Sequence, residues 1–339
     1  MKLAIGSKIQ AGPWGGGNQF IINLKKYLEE KKHTVRFDLK DKNIDIILLT
    51  DPRPKSSSSS FNHFDVNNYI KKNRNALVVH RINECDERKG TQGVNENLIF
   101  ANKIANHTVF ISSWLKDIFL KYKHFANTSV ILNGANNNVF FQDKTKKIEK
   151  KIKIVTHHWS SHWNKGFEIY SHLDNLLTKS DLSNFVEFTF IGNLPKNFSF
   201  NKTNHVKPSF GTDLSNLLRE NHIYITGSIN EPGGNHQNEG LNCGLPVLYL
   251  NSGCMKEYCN GYGLAFEKEN LRDKIFEIKD KYNEFKKKLF NYPYNSKLMC
   301  EKYESLFLRL IDKKAMSNNK NIPSYSFYDK LKFLKERFF

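Results

Sequence analysis

Short apolar segments alternate with amphipathic segments along most of this chain, and the alternation limits the folds that it can adopt. The apolar segments are rich in Ile, Val and Leu, as buried strands are. In the first half of the chain they cover residues 2–5, 34–39, 44–49, 76–79, 108–111 and 130–132. Helical patterns lie between them at residues 67–72, 96–105 and 115–122. Strands separated by helices in this way build a parallel sheet with helices on both faces.

The alternation begins again after the lysine-rich segment 144–153, which we interpret as a linker that leads into the next strand. A chain of 339 residues with a hydrophobic content of 39% has enough apolar side chains to form two hydrophobic cores. We therefore predict an N-terminal domain over residues 1–145, a C-terminal domain over residues 146–315 and a tail with a helix over residues 316–339. The strands predicted in the second domain include residues 152–156, 186–191 and 223–226.

The densest group of reactive side chains lies between two apolar segments, residues 223–226 and 245–248. Glu231 is followed by a proline and two glycines, which predicts a loop, whereas Glu239 is expected in the first turn of a helix over residues 238–244. Open α/β sheets bind ligands at such a loop and helix start. Two carboxylates suit the vicinal hydroxyls of a sugar or ribose. A purely structural role, with Glu239 complementing the helix dipole, is the alternative.

The spacing of these residues resembles the signature of retaining glycosyltransferases of family 4, the group 1 glycosyl transferases. Seven residues separate Glu231 from Glu239, and Gly240-Leu241-x-x-Gly244-Leu-Pro-Val follows. The resemblance implies an α/β protein of GT-B fold, in which two Rossmann-like domains, each a doubly wound parallel sheet, face a cleft. It implies that Glu231 is catalytic beside the transferred sugar and that Glu239 binds the ribose of the donor. It places five further residues in the donor site: Gly233, Gly234, Asn235, Gly240 and Leu241.

Two other segments of the second half share this resemblance. Residues 252–257, Ser-Gly-Cys-Met-Lys-Glu, are similar to the family's Gly-Gly-x-x-Glu turn. Lys165-Gly166, at the start of a helical pattern, is similar to the family's Lys-Gly, whose lysine neutralises the donor diphosphate. The family has an arginine several residues earlier, and here His158 or Trp159 occupies that place. We assign His158 to the donor site.

In the first half, a helical pattern follows the glycine-rich residues 12–17. The loop lacks Gly-x-Gly-x-x-Gly spacing, which argues against the alternative of a nicotinamide dinucleotide site. The resemblance implies that Gly16 and Gly17 face the donor phosphates and the acceptor. It also implies that His80, directly after the apolar segment 76–79, contacts the sugar as a second catalytic residue. An alternative interpretation of the charged segment after His80 is ion pairing among Arg81, Glu84, Asp86, Glu87 and Arg88.

Metal binding is not expected. His157, His158 and His162 are close in sequence, but helical spacing and a fourth ligand are missing. The five cysteines show no Cys-x-x-Cys spacing, so reduced thiols are expected. The predicted site offers no Asp-x-Asp element for Mg²⁺ or Mn²⁺. We therefore expect no metal and no cofactor other than the nucleoside diphosphate sugar, which is a substrate.

A formal net charge of +18 indicates attraction to anions. No helix-turn-helix, zinc-finger or RNP-like pattern accompanies it, so nucleic acid is not an expected partner. The expected partners are the nucleotide-sugar donor and a glycan or lipid-linked acceptor, with peripheral contact to an anionic membrane as a further option. The N-terminus has no long apolar stretch and no run approaches the ~18 apolar residues of a spanning helix. These features predict a cytoplasmic protein, with a peripheral position at the inner membrane face as the alternative.

Helical patterns at residues 270–290 and 295–311 precede a polar break at residues 315–324. The last helix carries Phe327, Leu331, Leu334 and Phe338 on one face and basic residues on the other. The resemblance implies that this helix returns to the first domain. A helix that lies on a membrane surface is the alternative.

The combined interpretation is a metal-independent, retaining hexosyltransferase, of the kind that acts in polysaccharide biosynthesis. It transfers a hexosyl unit from a nucleoside diphosphate sugar to a glycan, lipid-linked or other acceptor. Two alternatives stay open at this point. The first is a non-catalytic GT-B-like subunit that binds sugar or a partner, and the second is a basic nucleic-acid-binding protein.

Overall fold

The computed structural model describes residues 1–12, 15–53, 56–143, 145–148, 150–315 and 325–338. These residues contain twelve strands and twelve α-helices. The strands are β1 (Lys2–Ile5), β2 (Thr34–Arg36), β3 (Ile46–Leu49), β4 (Leu77–Ile82), β5 (His107–Phe110), β6 (Thr128–Val130), β7 (Ile152–His158), β8 (Val186–Gly192), β9 (Asn204–Val206), β10 (Ile223–Thr226), β11 (Val247–Leu250) and β12 (Gly263–Phe266). The helices are α1 (Gly16–Glu30), α2 (His63–Lys72), α3 (Val94–Ala101), α4 (Ser113–Tyr122), α5 (Phe167–Lys179), α6 (Gly211–Arg219), α7 (His236–Asn242), α8 (Met255–Cys259), α9 (Leu271–Asp280), α10 (Tyr282–Leu289), α11 (Ser296–Ala315) and α12 (Phe327–Phe338).

Residue contacts divide the chain into two compact units. Unit 1 consists of Met1–Gln10, Gly17–Leu132 and Met299–Phe339, and unit 2 consists of Ala11–Gly16 and Asn133–Leu298. The boundary near the C-terminus therefore falls within α11, whereas the sequence patterns place the boundary at residue 315.

Unit 1 contains a six-stranded parallel sheet with the strand order β2-β1-β3-β4-β5-β6. Successive side chains of a strand point to opposite faces, so Leu3 and Ile5 enter one core cluster and Ala4 enters another. All four residues of β3 are buried, as expected for a strand that is covered on both faces. The sheet of unit 1 is thus doubly wound, as the alternation predicts.

The helices of unit 1 follow their apolar spacing. The α1 residues Phe20, Ile21, Leu24 and Leu28 are buried on one face, which confirms the prediction for this helix. Burying each such side chain stabilises the folded state by roughly 1.5 to 3 kcal/mol. Helix α2 includes the predicted residues 67–72 and begins at His63, because Asn62 and the α2 carboxylate of Asp65 form a capping box.

Unit 2 contains a second six-stranded parallel sheet with the strand order β12-β11-β10-β7-β8-β9. The buried residues of β7, β8, β10 and α5 form one core cluster with those of α9. Strand β7 extends two residues beyond the predicted end, to His158. The helix predicted over residues 270–290 is two helices, α9 and α10, which meet at Lys281.

The C-terminal part of unit 1 packs on the N-terminal sheet. Met299, Tyr303 and Phe307 of α11 enter the same core cluster as β1 and α1, because their spacing places them on one helix face. Tyr325 and Phe333, before and within α12, enter the cluster on the other face of the sheet. The polar break at residues 316–324 and the side chain of Phe338 lie outside the described residues. No α-helix in the described part of the chain is long and apolar enough to cross a membrane.

Candidate functional site

A close backbone approach in unit 2 brings the turn after β7 against the loop after β10. Gly166 has a φ of +104°, and a Cβ there would lie 2.7 Å from the carbonyl carbon of Gly227. Only glycine allows this contact with this backbone conformation. Strands β7 and β10 are neighbours, so their carboxyl ends share one edge of the sheet. As a result Lys165 Nζ lies 2.5 Å from Glu231 Oε2, and the two side chains are 13% and 5% exposed.

The other side of the Glu231 loop is held by the turn that resembles Gly-Gly-x-x-Glu. Gly253 has a φ of +60°, and a Cβ there would lie 2.4 Å from the backbone nitrogen of Glu231. Cys254 N donates to Glu231 O over 2.9 Å, and Asn230 N donates to Ser252 Oγ over 2.9 Å. Glu231 lies on a loop, as predicted, and contacts from two neighbouring segments fix its backbone.

The second glutamate has a partner that the sequence analysis did not assign. Glu239 lies in α7 and accepts a hydrogen bond from His157 Nε2, 2.7 Å from its Oε2. The buried Tyr224 hydroxyl accepts from His157 N over 3.2 Å and lies 3.1 Å from Nδ1, to which it can donate. Because a carboxylate oxygen accepts hydrogen bonds, the His157 Nε2–H is directed at Glu239. The only sequence signal for this role of His157 is its position as a polar residue at the end of a buried strand.

His158 is enclosed rather than facing an anion. Its Nε2 lies 2.7 Å from the Tyr170 hydroxyl, and the residue is 4% exposed. Burial, followed by the nearby His236 and Lys165, lowers the pKa of His158 well below its ordinary value. The ring is therefore neutral near pH 7 and does not supply the positive charge of the arginine that it replaces in the resemblance. Its assignment to the donor site stays a prediction.

The residues around α7 have visible packing roles. A Cβ on Gly240 would lie 2.4 Å from the ring of Tyr224, so this glycine allows α7 to approach β10 closely. Leu241 is fully buried in the interior. Asn133 Nδ2 donates to Gly233 O over 2.6 Å. These contacts explain the local structure, and the donor-binding role of the three predicted residues stays a prediction.

Two amide side chains at the start of α7, those of Asn235 just before it and Gln237 within it, have buried oxygens. Gln237 Nε2 donates to Gly234 O over 2.7 Å, and Asn235 Nδ2 donates to Gly16 O, also within unit 2, over 3.4 Å. The side-chain oxygens of Asn235 and Gln237 are buried and accept no hydrogen bond from any residue that the structure describes. Both oxygens could accept hydrogen bonds from ligand hydroxyls.

In unit 1, the prediction that the strand ends before His80 is wrong. Strand β4 continues to Ile82, because the ladder with its neighbours continues after the apolar pattern stops and pairs His80 with Leu49 and Thr108. His80 is fully buried, and its Nδ1 lies 2.8 Å from Asn102 Oδ1. Burial lowers the pKa of His80 to about 4, so the ring is neutral near pH 7. Its contact with sugar stays a prediction.

Gly17 lies in the first turn of α1, near the chain that leaves β4. A Cβ on Gly17 would lie 3.9 Å from Asn83 Nδ2. Residues 13 and 14 of the predicted glycine-rich loop lie outside the described residues. Within unit 1, the start of α1 and the end of β4 are therefore adjacent, as expected for a parallel sheet.

Charged side chains follow β3 and β4 in unit 1. Arg53 Nε lies 2.7 Å from Asp51 Oδ1, and Arg88 lies 2.8 Å from Glu84. The Arg88 pair agrees with the ion-pair interpretation of this segment. Burial raises the pKa of Asp51, but hydrogen bonds and the charge of Arg53 outweigh it and hold the pKa below its ordinary value.

The clustered histidines have separate partners. His157 contacts Glu239, His158 contacts Tyr170, and the ring of His162 accepts a hydrogen bond from Asn164 N over 3.3 Å. Across the described ranges, no group of three His, Cys, Asp or Glu residues is placed to hold a metal ion. The cysteines at positions 85, 243, 254, 259 and 300 are buried and free.

No protein-family model matches the chain, and no curated protein matches it in sequence. Solved structures match its fold. A sucrose-phosphate synthase from Thermosynechococcus elongatus is 12% identical with a TM-score of 0.66, and the match covers 92% of this chain and 99% of the synthase. A glycosyltransferase from Rickettsia africae is 17% identical with a TM-score of 0.65, and the match covers 94% of this chain and 99% of that one. Anabaena HepE in complex with UDP-glucose is 15% identical with a TM-score of 0.63, and the match covers 94% of this chain and 99% of HepE. These likenesses confirm the predicted GT-B fold.

Proposed function

We propose that this protein is a glycosyltransferase that transfers a hexosyl unit from a nucleoside diphosphate sugar to an acceptor hydroxyl, with retention of the anomeric configuration. One observation carries the proposal. A largely shielded cation, Lys165, and a buried carboxylate, Glu231, meet at the carboxyl edge of the unit 2 sheet, and Glu239 follows in the next helix. The fold on which they lie is shared with the glycosyltransferases named above.

Lys165 is suited to a leaving group that becomes more negative as the reaction proceeds. Its ammonium group contacts Glu231 and is largely shielded from water, so its charge acts in a medium of low dielectric. A donor diphosphate that reaches Lys165 would compete with Glu231 for it. We propose that the Glu231 carboxylate, once its contact with Lys165 is weakened, stabilises the positive charge that develops at the anomeric carbon of the sugar.

Glu239 is suited to a pair of vicinal hydroxyls. Its Oε2 accepts from His157, and its Oε1 accepts no hydrogen bond from any described residue. The side chain is 13% exposed, so a ligand could reach it. A carboxylate that is already oriented loses little rotamer freedom when it binds the ribose hydroxyls of a nucleotide.

The proposed transfer breaks the bond between the anomeric carbon and a diphosphate oxygen, and the electron pair leaves with the nucleoside diphosphate. The acceptor hydroxyl oxygen forms the new bond on the same face of the sugar. Its proton passes to the oxygen of the leaving diphosphate. We propose that no metal ion takes part, with Lys165 opposing the charge of the diphosphate.

The acceptor is proposed to be a glycan or a lipid-linked saccharide, and the protein is proposed to act in the cytoplasm in polysaccharide biosynthesis. The net charge of +18 favours anionic partners. A lipid-linked acceptor would place the reaction at the inner face of a membrane.

Thermal-shift measurements with a panel of nucleotide sugars test the proposal. UDP-glucose is the first probe, because HepE was solved with it. A raised Tm with one donor, followed by nucleotide release and a product of unchanged anomeric configuration by NMR, would support the proposal. A raised Tm without turnover by any acceptor would favour the non-catalytic sugar-binding subunit. An inverted product would contradict retention.

A further inference from the structure

Two aromatic side chains fix helix α12 on unit 1. Tyr325 and Phe333 are each 8% exposed. The Tyr325 ring lies 5.0 Å from that of Phe64 and 5.1 Å from that of Phe100, and the Phe333 ring lies 5.2 Å from that of Phe64. These contacts determine which face of α12 meets the unit 1 core.

The opposite face of α12 presents four large apolar side chains, which we call the outer stripe. They are Phe327 (77% exposed), Tyr328 (75%), Leu331 (47%) and Leu334 (43%). At 3.6 residues per turn, their positions span about 120° of the helix circumference, and Phe333 lies about 160° from the middle of this arc. The outer stripe is thus a continuous apolar surface directed away from the core of unit 1.

Lysines border the outer stripe. By the same helical geometry, Lys330 and Lys332 lie about 40° beyond its two edges, and Lys335 lies about 20° inside the edge that Tyr328 forms, two turns further along the helix. Asp329 lies on the anchored side, where it accepts a hydrogen bond from Ser326 N over 2.8 Å. The charges next to the outer stripe are therefore positive.

We propose that the outer stripe is a docking surface for a membrane that contains anionic phospholipid. An apolar face with lysines at its edges can bury its rings among acyl chains while the ammonium groups extend to the lipid headgroups. A second copy of this chain fits less well, because it would bring like-charged lysines together in a protein of net charge +18. This proposal does not depend on the chemistry of unit 2.

Sedimentation of the full-length protein with vesicles tests the proposal. The vesicles contain phosphatidylcholine alone or phosphatidylcholine with phosphatidylglycerol. We expect binding to the anionic vesicles, weaker binding at high salt and little binding to phosphatidylcholine alone. Phe327→Ser with Leu331→Ser, and separately Lys332→Glu with Lys335→Glu, should each reduce binding about tenfold or more. Matched controls in unit 2 are Phe210→Ser, which removes a side chain that is 55% exposed, and Lys196→Glu.

Circular dichroism and the Tm establish whether each variant is folded, and the substituted side chains are exposed, so little change is expected. Failure of the wild-type protein to bind anionic vesicles would overturn the proposal. Equal binding by the stripe variants and the controls would overturn it as well. A wild-type dimer in solution that the Phe327→Ser, Leu331→Ser variant converts to a monomer would assign the outer stripe to a second copy instead.

Discussion

The ammonium nitrogen of Lys165 lies 2.5 Å from a carboxylate oxygen of Glu231, and both side chains are largely shielded from water. The sequence resemblance gives these residues different targets, the diphosphate for one and the sugar for the other. In the structure, the two side chains form an ion pair with each other. Removing either side chain takes this ion-pair contact away from the other.

We therefore expect the two residues to be coupled in stability. Lys165→Ala and Glu231→Gln should each lower the free energy of unfolding by about 3 kcal/mol, because the remaining charge stays largely shielded from water and loses this ion-pair contact. The double variant should lose less than the sum, with a coupling of roughly 1 to 3 kcal/mol. Urea denaturation measures all three. The exposed pair Lys25 and Glu29 is the control, with an expected coupling of about 0.5 kcal/mol or less, and additive losses at Lys165 and Glu231 would refute the coupling.

The two glutamates should differ in kinetics. Glu239→Gln should raise the KM for the donor about tenfold, since a hydrogen bond to a charged group contributes roughly 1.5 to 3 kcal/mol to binding. Glu231→Gln should lower kcat by a factor on the order of 10² or more, because its charge is proposed to act where positive charge develops. Steady-state kinetics measure both the KM and the kcat of each variant, with the nucleotide sugar that raises the Tm used as the donor. A Glu231→Gln enzyme with normal kcat would contradict the catalytic assignment.

His157 should act through Glu239. His157→Phe keeps a ring in the same place but removes the hydrogen bond to Glu239. We expect the donor KM to rise roughly fivefold to tenfold with little change in kcat, and we expect no further rise in the Glu239→Gln background. His172→Phe on α5 serves as the control. A matching fall in kcat, or additive effects with Glu239→Gln, would show that His157 has another role.

Transfer should continue after removal of divalent metal. Lys165 is proposed to oppose the diphosphate charge, so activity in excess EDTA should stay within about twofold of the untreated enzyme. Turnover of extensively dialysed protein, with and without added Mn²⁺, is the measurement. Loss of turnover in EDTA and recovery with Mn²⁺ would replace this proposal with a metal-dependent one.

Acid should destabilise unit 1 through His63. Its ring is 2% exposed among Phe64, Phe100, Tyr325 and Phe333, and neither ring nitrogen has a hydrogen-bond partner among the residues described. Burial, with a smaller effect of His80, lowers the pKa of His63 to about 3, while Asp329 acts in the opposite direction. The folded state thus prefers the neutral ring. The stability that this preference provides is complete above about pH 6.5 and is lost as the pH falls toward 3.

His63→Phe should remove this part of the pH dependence. Between pH 7.5 and pH 5, the wild-type protein should lose about 2 kcal/mol more unfolding free energy than the variant. Urea denaturation at the two pH values gives the difference. His124→Phe, at an exposed position, should keep the wild-type pH dependence. The same loss in the His63→Phe protein as in the wild type would show that His63 is not the titrating group.

Local sequence patterns determined the fold class and several parts of the site. The alternation of strands and helices requires only the period of each segment, so it predicted two parallel sheets and the buried face of α1. Pro232 and the two glycines after it act on their own backbone, so the sequence also placed Glu231 on a loop and Glu239 in a helix. These features depend on neighbours along the chain and can be read without tertiary contacts.

Strand ends and partners depended on the tertiary structure. The apolar pattern stops at Val79, yet β4 continues through His80, because ladder hydrogen bonds with β3 and β5 do not depend on apolar side chains. The pairing of Lys165 with Glu231 joins positions 66 residues apart, and that of His157 with Glu239 joins positions 82 residues apart. Such contacts form only when β7 and β10 are neighbours in the sheet. No local period in the sequence carries that information, because strand order is decided by how the whole sheet packs.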